Sequence, residues 1–211
     1  MSDALVESAA RLAREGQARS GRRPILGITG APGAGKSTLA ASLAEGLRAG
    51  GVVVGILPMD GFHLADVELD RLGRRARKGA IDTFDGWGYL SVLERVAAAP
   101  DHIVYAPGFE RELEQPIAGA VAIEPDVDLV ITEGNYLLAD DAPWDALRGV
   151  LGETWFVEVP DALRRERLVA RHVTFGKSEQ QARDWVRDVD EPNARAIQAT
   201  RDAADRVVEV G

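Results

Sequence analysis

A glycine-rich segment at residues 30–37 constrains the fold of this chain more than any other feature. It reads GAPGAGKS and fills every fixed position of the pattern G-x-x-x-x-G-K-[ST]. The glycines permit the tight backbone curvature that turns successive N–H groups inward, which creates a concave anion site. Lys36 adds a mobile positive charge for the outer phosphates of a nucleotide, and the Ser37 hydroxyl can bind Mg²⁺. We therefore expect a nucleotide phosphate site formed by Gly30, Ala31, Gly33, Ala34, Gly35, Lys36, Ser37 and Thr38.

The residues on either side of this segment have the pattern that a phosphate loop requires. Residues 25–29 form a short, mostly apolar run, which predicts a buried strand before the loop. Thr38 and the apolar-rich residues 39–44 predict a helix after it, with its positive N-terminal end facing the same anion. This order favours a phosphate-binding loop over a glycine-rich turn that contains a lysine by chance.

The composition of the chain limits the classes of protein to which it can belong. Its 211 residues suit a single domain over residues 1–211, or one domain with a mobile lid. With 25 Lys and Arg against 34 Asp and Glu, the formal charge is −9, which disfavours nucleic acid or an anionic membrane as a general partner. Cysteine is absent, so disulfides and thiolate metal sites are excluded.

The sequence also carries information about location. The first residues lack the basic-then-apolar order of a secretion signal. No apolar stretch approaches the ~18 residues of a membrane span. We therefore expect a cytoplasmic protein.

Apolar runs alternate along the chain with segments of helical periodicity. Further strands are predicted at residues 52–57, 103–105, 127–132, 155–159 and 206–210. Helices are predicted at residues 4–15, 91–99, 161–174 and 179–202, with an irregular stretch at 64–80. The alternation predicts an α/β fold, a three-layer, doubly wound, mostly parallel sheet with helices on both faces and ligands at the carboxyl ends of its strands. Ser178 and Gln181 have the spacing of a capping box.

Two acids follow predicted strands and are candidates for catalysis. Asp60 lies just past one strand, and Glu133 lies at the end of another. A metal-bound phosphoryl donor needs a carboxylate to hold or orient the ion, and transfer to an alcohol needs a base that accepts the hydroxyl proton. Two acids at two strand ends can divide this work. Alternatively, Asp60 forms a turn with Gly61, and Glu133 caps a turn.

Clustered cations form a second group of candidates. Arg164, Arg167 and Arg171 fall on one face of the predicted helix at 161–174, where guanidinium groups beside a phosphate site would stabilise charge on the transferring group. Alternatively, this face is solvated and paired with acids. Residues 71–78 contain five Arg and Lys, which indicates either a mobile surface segment or a region that attracts an anionic substrate or nucleotide.

Five motifs occur together in chain order, and as a series they are specific. They are the loop at residues 30–37, MDGF at 59–62, KGAIDTFD at 78–85, APGF at 106–109 and TEGN at 132–135. The series resembles the phosphoribulokinase, uridine kinase and bacterial pantothenate kinase family of P-loop kinases over residues 22–210. It is most similar to a bacterial branch of pantothenate-kinase-like or fructose-kinase-like proteins. The resemblance implies a P-loop NTPase fold with a small lid at about 161–180, ATP and Mg²⁺ as cofactors, and a small-molecule hydroxyl acceptor. Because dimers are frequent among relatives, it also allows a homodimer.

The resemblance implies catalytic roles at matching positions. Asp60 corresponds to the base that activates the acceptor hydroxyl, and Lys36 to the lysine of the loop. Glu133 corresponds to the strand-end acid that serves the magnesium-bound nucleotide, together with Ser37. Arg167 or Arg171 corresponds to the lid arginine that closes over the phosphates.

The resemblance also implies an acceptor pocket. Asp82 matches an acceptor-binding Asp of the uridine kinase pattern, although Ile81 replaces a proline there and a helix N-cap is an alternative. Phe109 stands where a tyrosine is usual, and Arg111 and Glu114 replace the neutral or aromatic groups expected for pantothenate. Two further candidates for acceptor contact are His63, otherwise an ordinary hydrogen-bonded histidine, and Asn193.

Two functions from different classes follow from these patterns. The first is an ATP-dependent kinase that phosphorylates a hydroxyl of a sugar, a nucleoside or a pantothenate-like hydroxy acid. The second is a nucleotide-driven switch or accessory ATPase for a protein partner. A GTPase switch would need a guanine-reading Asn-Lys-x-Asp stretch, which the chain lacks. The pattern therefore favours the kinase.

Overall fold

The structure, a computed structural model, describes residues 3–210, except for the side chains of residues 17, 19 and 20. These residues form seven strands, β1 (Ile25–Thr29), β2 (Val54–Pro58), β3 (Val104–Glu110), β4 (Gln115–Ile123), β5 (Leu129–Glu133), β6 (Glu153–Glu158) and β7 (Arg206–Glu209). The α-helices are α1 (Asp3–Ser20), α2 (Lys36–Ala49), α3 (Asp66–Arg71), α4 (Gly86–Ala97), α5 (Asp161–Thr174), α6 (Glu179–Trp185) and α7 (Glu191–Gln198). Within residues 3–210, no helix combines the length and the apolar character of a membrane span.

Five of the strands form one parallel sheet in the order β2-β5-β1-β6-β7. Strands β1 and β5 are buried at every residue, as expected where helices cover both faces. Glu133, the last residue of β5, is opposite both Ile28 of β1 and Pro58 of β2. The carboxyl ends of three adjacent strands therefore meet at one edge of the sheet. The prediction of a doubly wound α/β fold is confirmed.

Two apolar cores lie on opposite faces of the sheet. Leu26 belongs to the same core as Leu43 of α2, whereas Ile25 belongs to the same core as Leu93 of α4. Neighbouring residues of β1 enter different cores because successive side chains of a strand point to opposite faces. The helix that follows the phosphate loop is thus fixed to the sheet by its apolar face.

The strand predicted at residues 103–105 does not belong to the parallel sheet. It is the start of β3, which pairs with β4 as an antiparallel hairpin, with Val104 opposite Ile123. The sequence analysis missed β4 because most of this strand is exposed and contains small residues, which leaves no apolar alternation to detect. Residues 64–80 are also more regular than predicted, since they contain α3 and a 3-10 turn, Arg75–Arg77.

The helix predicted at residues 179–202 is interrupted. A π-helical turn, Val186–Asp190, separates α6 from α7, and Pro192 lies in the first turn of α7. Proline has no backbone N–H to donate and its ring crowds the carbonyl four residues earlier, so the wider turn accommodates it. The predicted capping box is present: Ser178 Oγ accepts from the Gln181 N–H at 3.3 Å, and Gln181 Oε1 accepts from the Ser178 N–H at 2.9 Å.

A buried hydrogen-bond chain joins α4, β5 and β2. The Thr132 hydroxyl donates to the Leu57 carbonyl at 2.5 Å and lies 2.6 Å from the Tyr89 hydroxyl. Burial raises the pKa of Tyr89 well above its ordinary value, so this hydroxyl stays protonated and donates to Thr132. These hydrogen bonds hold β5 against β2 at Thr132, one residue before Glu133.

We expect Tyr89→Phe to lower the free energy of unfolding by about 1 kcal/mol, because it removes one buried hydrogen bond and leaves the ring in place. Urea unfolding measures the difference. The matched control is Tyr105→Phe, since the Tyr105 side chain is exposed and the same change should alter the free energy of unfolding by less than about 0.5 kcal/mol. Equal effects of the two substitutions would contradict a stabilising role for the hydrogen bond between Tyr89 and Thr132.

Candidate active site

The phosphate loop connects the end of β1 to the start of α2. Its glycines Gly30, Gly33 and Gly35 all have positive φ, at 149°, 80° and 93°. A Cβ at Gly30 would lie 2.6 Å from the Val157 carbonyl oxygen, and one at Gly33 would lie 2.8 Å from the Arg164 carbonyl oxygen. Both glycines are therefore needed for conformation and for space.

Lys36, the first residue of α2, folds its side chain back over the loop. Its Nζ donates to the carbonyl oxygens of Gly30 at 2.9 Å and Ala31 at 3.2 Å, and to Asn135 Oδ1 at 2.7 Å. Burial lowers the pKa of Lys36 to about 8, although nearby Glu133 and Asp60 raise it. None of the three hydrogen-bond partners is an anion. A phosphate group at the loop would supply the full negative charge that this ammonium lacks.

Ser37 and Glu133 meet beside the loop. The Ser37 hydroxyl donates to Glu133 Oε1 at 3.0 Å. Burial raises the pKa of Glu133, the nearby Asp60 carboxylate raises it further, and Lys36 lowers it. A cation near these two oxygens would therefore offset the cost of a buried carboxylate. Hydroxyl and carboxylate oxygens suit Mg²⁺, which usually takes only one or two protein ligands and completes its shell with water and phosphate. The described residues contain no group of three or more His, Cys, Asp or Glu that could hold a metal.

Asp60 lies in the 3-10 turn Met59–Phe62 that follows β2 directly. Its carboxylate is partly exposed, and the Arg111 guanidinium approaches it, with Nη2 3.4 Å from Oδ2. A Cβ at Gly61 would lie 2.1 Å from the Pro107 carbonyl oxygen, so the β3–β4 hairpin packs directly on this turn. The turn and the hairpin thus position Asp60 and Arg111 together.

A cavity of about 850 Å³ opens beside the loop and brings most of the predicted residues together. The predicted residues that line it are Gly33, Lys36, Ser37, Asp60, His63, Phe109, Arg111, Glu133, Arg171 and Asn193. Residues that the sequence analysis did not single out also line it, among them Asn135, Lys177 and Asp190. Asn135 belongs to the TEGN motif, so a sequence signal for it was present.

Asp82 does not line this cavity. Arg77 donates to both of its carboxylate oxygens, at 2.8 and 2.5 Å, and Arg74 lies 3.4 Å away. The helix N-cap in this region is Asp85, whose carboxylate accepts from the Gly88 N–H at 2.8 Å. In this structure Asp82 therefore orders the cationic segment, and its contact with the acceptor stays a prediction.

The three arginines of α5 occupy different surroundings. Arg171 lines the cavity. Arg167 lies beside the loop, with Nη1 3.7 Å from the position that a Cβ at Gly35 would take. Arg164 is buried and forms ion pairs with Asp161 and Glu191. One face of α5 therefore carries one buried arginine and two arginines that lie close to the phosphate loop.

His63 forms part of an aromatic wall of the cavity. Its ring lies 4.0 Å from that of Phe84 and 4.8 Å from that of Phe109, measured between centroids. Nδ1 lies 2.8 Å from the Asp60 carbonyl oxygen, which can only accept, so Nδ1 carries the hydrogen. Burial lowers the pKa of His63, although Asp60 raises it. The neutral ring then has Nε2 free to accept a hydrogen bond.

His172 and Asp190 form a pair that sequence spacing did not indicate. Nε2 of His172 lies 2.8 Å from Asp190 Oδ2, and both residues line the cavity. The pair joins α5 to the π-helical turn. Asn193 follows on α7, with Nδ2 3.4 Å from the Gly79 carbonyl oxygen. The segment formed by α6, the π-helical turn and α7 therefore closes one side of the cavity.

Known proteins identify the family of this arrangement. The chain is 36% identical over 161 residues to a Schizosaccharomyces pombe protein named "Putative uridine kinase", covering 74% of this chain and 68% of that protein. The chain belongs to the family of P-loop kinases that includes uridine kinase and phosphoribulokinase. An Escherichia coli relative of this P-loop kinase, "Uncharacterized protein YggC", is 31% identical over 191 residues, covering 90% of this chain and 78% of that protein. The resemblance drawn from the motifs is confirmed.

Solved structures agree with this assignment. A "putative fructose transport system kinase" from Silicibacter sp. TM1040 superimposes on this P-loop kinase with a TM-score of 0.84 at 36% identity, covering 95% of this chain and 98% of that chain. YFH7 from Saccharomyces cerevisiae gives a TM-score of 0.82 at 18% identity, covering 98% and 97%, which shows a shared fold.

A family model describes only the N-terminal part of the chain. The model "Methylmalonyl Co-A mutase-associated GTPase MeaB" matches residues 2–63. The match includes the phosphate loop and ends just after Asp60, before the β3–β4 hairpin. Because the loop motif is shared by many NTPases, this match indicates a nucleotide-binding segment and not the activity of the whole P-loop kinase.

We expect Gly61→Ala to lower the free energy of unfolding by more than about 2 kcal/mol, because the new methyl group would collide with the Pro107 carbonyl. Urea unfolding gives this value, and hydrogen exchange of the amides in β3 should become faster. Gly149→Ala is the matched control, since a Cβ there meets nothing within 4 Å. Unchanged exchange in β3 would contradict the packing of the hairpin on the turn.

Proposed function

We propose that this P-loop kinase transfers the γ-phosphoryl group of ATP to a hydroxyl group of a small metabolite, with Mg²⁺ as cofactor. One observation carries the proposal: a single cavity is lined both by Lys36 and Ser37 of the phosphate loop and by the partly exposed carboxylate of Asp60. Membership of a kinase family supports it. Donor and acceptor would meet inside this cavity, where positioning and electrostatics supply most of the rate.

On the donor side, the loop would hold the triphosphate of ATP and Lys36 would neutralise its outer oxygens. Ser37 and Glu133 would hold Mg²⁺, which supplies positive charge to the phosphate oxygens when it is bound. Arg171 lines the same cavity and, within the described part of the chain, makes no ion pair. Its guanidinium is therefore free to bind the transferring phosphoryl group.

The nucleoside half of ATP would lie on the other side of the loop. A second cavity of about 480 Å³ adjoins Ala31 and Ala34 of the loop and extends to Arg195 of α7. The triphosphate would run along the loop between the two cavities. The smaller cavity would hold the base and sugar of the donor, and the larger one would hold the acceptor. In this proposal, residues 161–180 act as the lid between them.

On the acceptor side, Asp60 would act as the general base. As the acceptor oxygen forms its bond to the γ-phosphorus, the bond from that phosphorus to the bridging oxygen of ADP breaks and the hydroxyl proton passes to Asp60. The position of Asp60 directly after β2 fixes it at the same sheet edge as Glu133. His63 Nε2 could accept a hydrogen bond from a second hydroxyl of the acceptor.

A nucleotide-driven switch for a protein partner is the second candidate, and the match of residues 2–63 to a GTPase family model favours it. The two functions differ in what accelerates nucleotide turnover. A kinase turns over faster when its small-molecule acceptor is added, whereas a switch does not respond to a metabolite. ATP and GTP turnover with and without sugars, nucleosides and hydroxy acids therefore separates them.

We expect Asp60→Asn to lower kcat for phosphoryl transfer by about 100- to 10,000-fold and to leave ATP binding unchanged, because it removes the base but not the phosphate site. Coupled detection of ADP gives kcat, and calorimetry with ATP and Mg²⁺ gives the affinity. Asp145→Asn, in an exposed turn, is the matched control for loss of one acid. Transfer at the normal rate by Asp60→Asn would rule out Asp60 as the base, and failure of the wild type to bind ATP with Mg²⁺ would end the proposal.

A further inference from the structure

The acceptor side of the cavity carries cations that differ in how far their charge is already balanced. Arg75 and Lys78 both form ion pairs with Asp66, at 2.8 and 2.7 Å. Arg111, in the turn of the β3–β4 hairpin, has one contact only, the approach of Nη2 to Asp60 Oδ2 at 3.4 Å. Among residues 3–210 its guanidinium has no other hydrogen bond or ion pair. Most of its five N–H donors are therefore available for a ligand.

The contact between Arg111 and Asp60 is weak by geometry. At 3.4 Å it lies at the long end of the range for a hydrogen bond, and it uses one N–H where an arginine can pair with a carboxylate through two. The side chains are 44% and 31% exposed, and exposed ion pairs contribute little to stability. A ligand that offers a better anion can therefore displace Asp60 from Arg111.

The contact between Arg111 and Asp60 involves the carboxylate that would accept the proton in the proposed reaction. Oδ2 is one of only two oxygens through which Asp60 can accept a proton, and the guanidinium occupies the space beside it. A neutral acceptor would leave Arg111 where it is. An acceptor with a suitably placed negative group would pair with Arg111 in the bidentate manner that arginine favours and would release Asp60 to the hydroxyl.

We propose that the acceptor is a hydroxylated compound that carries a carboxylate or phosphoryl group, and that Arg111 exchanges Asp60 for this group when the acceptor binds. The proposal rests on the function proposed above and names the class of its substrate. Phe109, two residues before Arg111, packs against His63, so the hairpin places an apolar wall and a cation side by side. Lys78 Nζ lies 5.6 Å from the centre of the Phe109 ring, but its charge is paired with Asp66, so Arg111 is the cation beside this wall with charge to spare. A hydroxy acid or a sugar phosphate fits these groups better than a neutral sugar or nucleoside.

Matched pairs of compounds test the class of substrate. Each pair has the same hydroxyl groups with and without an anion: D-glycerate and glycerol, D-gluconate and D-glucose, pantothenate and panthenol, fructose 6-phosphate and fructose. ADP formation with ATP and Mg²⁺ gives kcat/KM, and calorimetry in the presence of a non-hydrolysable ATP analogue gives affinity without turnover. We expect the preferred compound to be an acid that exceeds its neutral partner by about 10- to 100-fold, the range for one charge-assisted interaction. Comparison of the pairs that carry a carboxylate with the pair that carries a phosphate shows which anion the protein prefers.

Variants of Arg111 then test the residue itself. Arg111→Gln should raise KM for the preferred acid by about 10-fold or more and bring the acid-to-neutral ratio close to one, whereas Arg111→Lys should restore part of the ratio. A merely structural role of Arg111 would lower the rates with both members of a pair and leave their ratio unchanged. Arg95→Gln removes an exposed arginine of α4 and is the matched control.

The outcomes separate this proposal from the kinase itself. Phosphorylation of neutral compounds at least as well as acids, or a ratio that Arg111→Gln does not change, overturns the anionic acceptor and leaves the kinase intact. Absence of ATP binding instead overturns the kinase. If no compound is phosphorylated, tighter binding of the acids that depends on Arg111 supports the proposal, and equal or absent binding overturns it.

Discussion

The register between three neighbouring parallel strands decides where the candidate reacting groups of this protein lie. Glu133 is opposite Ile28 of β1 and Pro58 of β2, so the strand that leads into the phosphate loop and the strand that leads into the Asp60 turn end beside the same carboxylate. A shift of one residue in β5 would move Glu133 to the other face of the sheet and away from Ser37. The buried Thr132 hydroxyl, held between Leu57 and Tyr89, opposes such a shift.

Burial at this sheet edge produces an electrostatic arrangement that suits phosphate and a cation. Lys36 has its pKa lowered by burial, while burial raises the pKa of Glu133, so each charge is costly without a partner. Opposite charges placed near both groups would stabilise them together. Carbonyl oxygens of the loop and the Asn135 amide surround Lys36, and the Ser37 hydroxyl lies beside Glu133. The other charged groups that act on this pair are Asp60, Arg111 and Arg171. In the proposed function, Lys36 and Glu133 would therefore couple nucleotide binding to metal binding.

The loop and its flanking elements could be predicted from the sequence because their signals are local. A phosphate loop, a strand before it and a helix after it are all encoded within about 25 residues, and the strand-end rule singled out Asp60 and Glu133, which lie at one edge of the sheet. The groups proposed to bind the acceptor are brought together by contacts between distant residues. The approach of Arg111 to Asp60 spans 51 positions, and the pairing of His172 with Asp190 crosses a π-helical turn. Strand β4 has little apolar alternation, so the hairpin that brings Arg111 to the cavity could not be predicted by periodicity.

The groups proposed to bind the donor phosphates and those proposed to bind the acceptor come largely from different parts of the chain. Residues 2–63, which match a GTPase family model, contain the loop and end just after Asp60. The β3–β4 hairpin, the cationic segment that Asp82 orders, and α7 all follow this point in the chain, and none of them belongs to the five-stranded sheet. In the proposed function, changes in the hairpin would therefore alter the choice of acceptor without moving the sheet edge that carries the phosphate loop. The close packing of Gly61 on Pro107, the approach of Arg111 to Asp60 and the contact of His63 with Phe109 join the hairpin to the Asp60 turn. In the proposed function, this turn is therefore where acceptor recognition and proton transfer would meet.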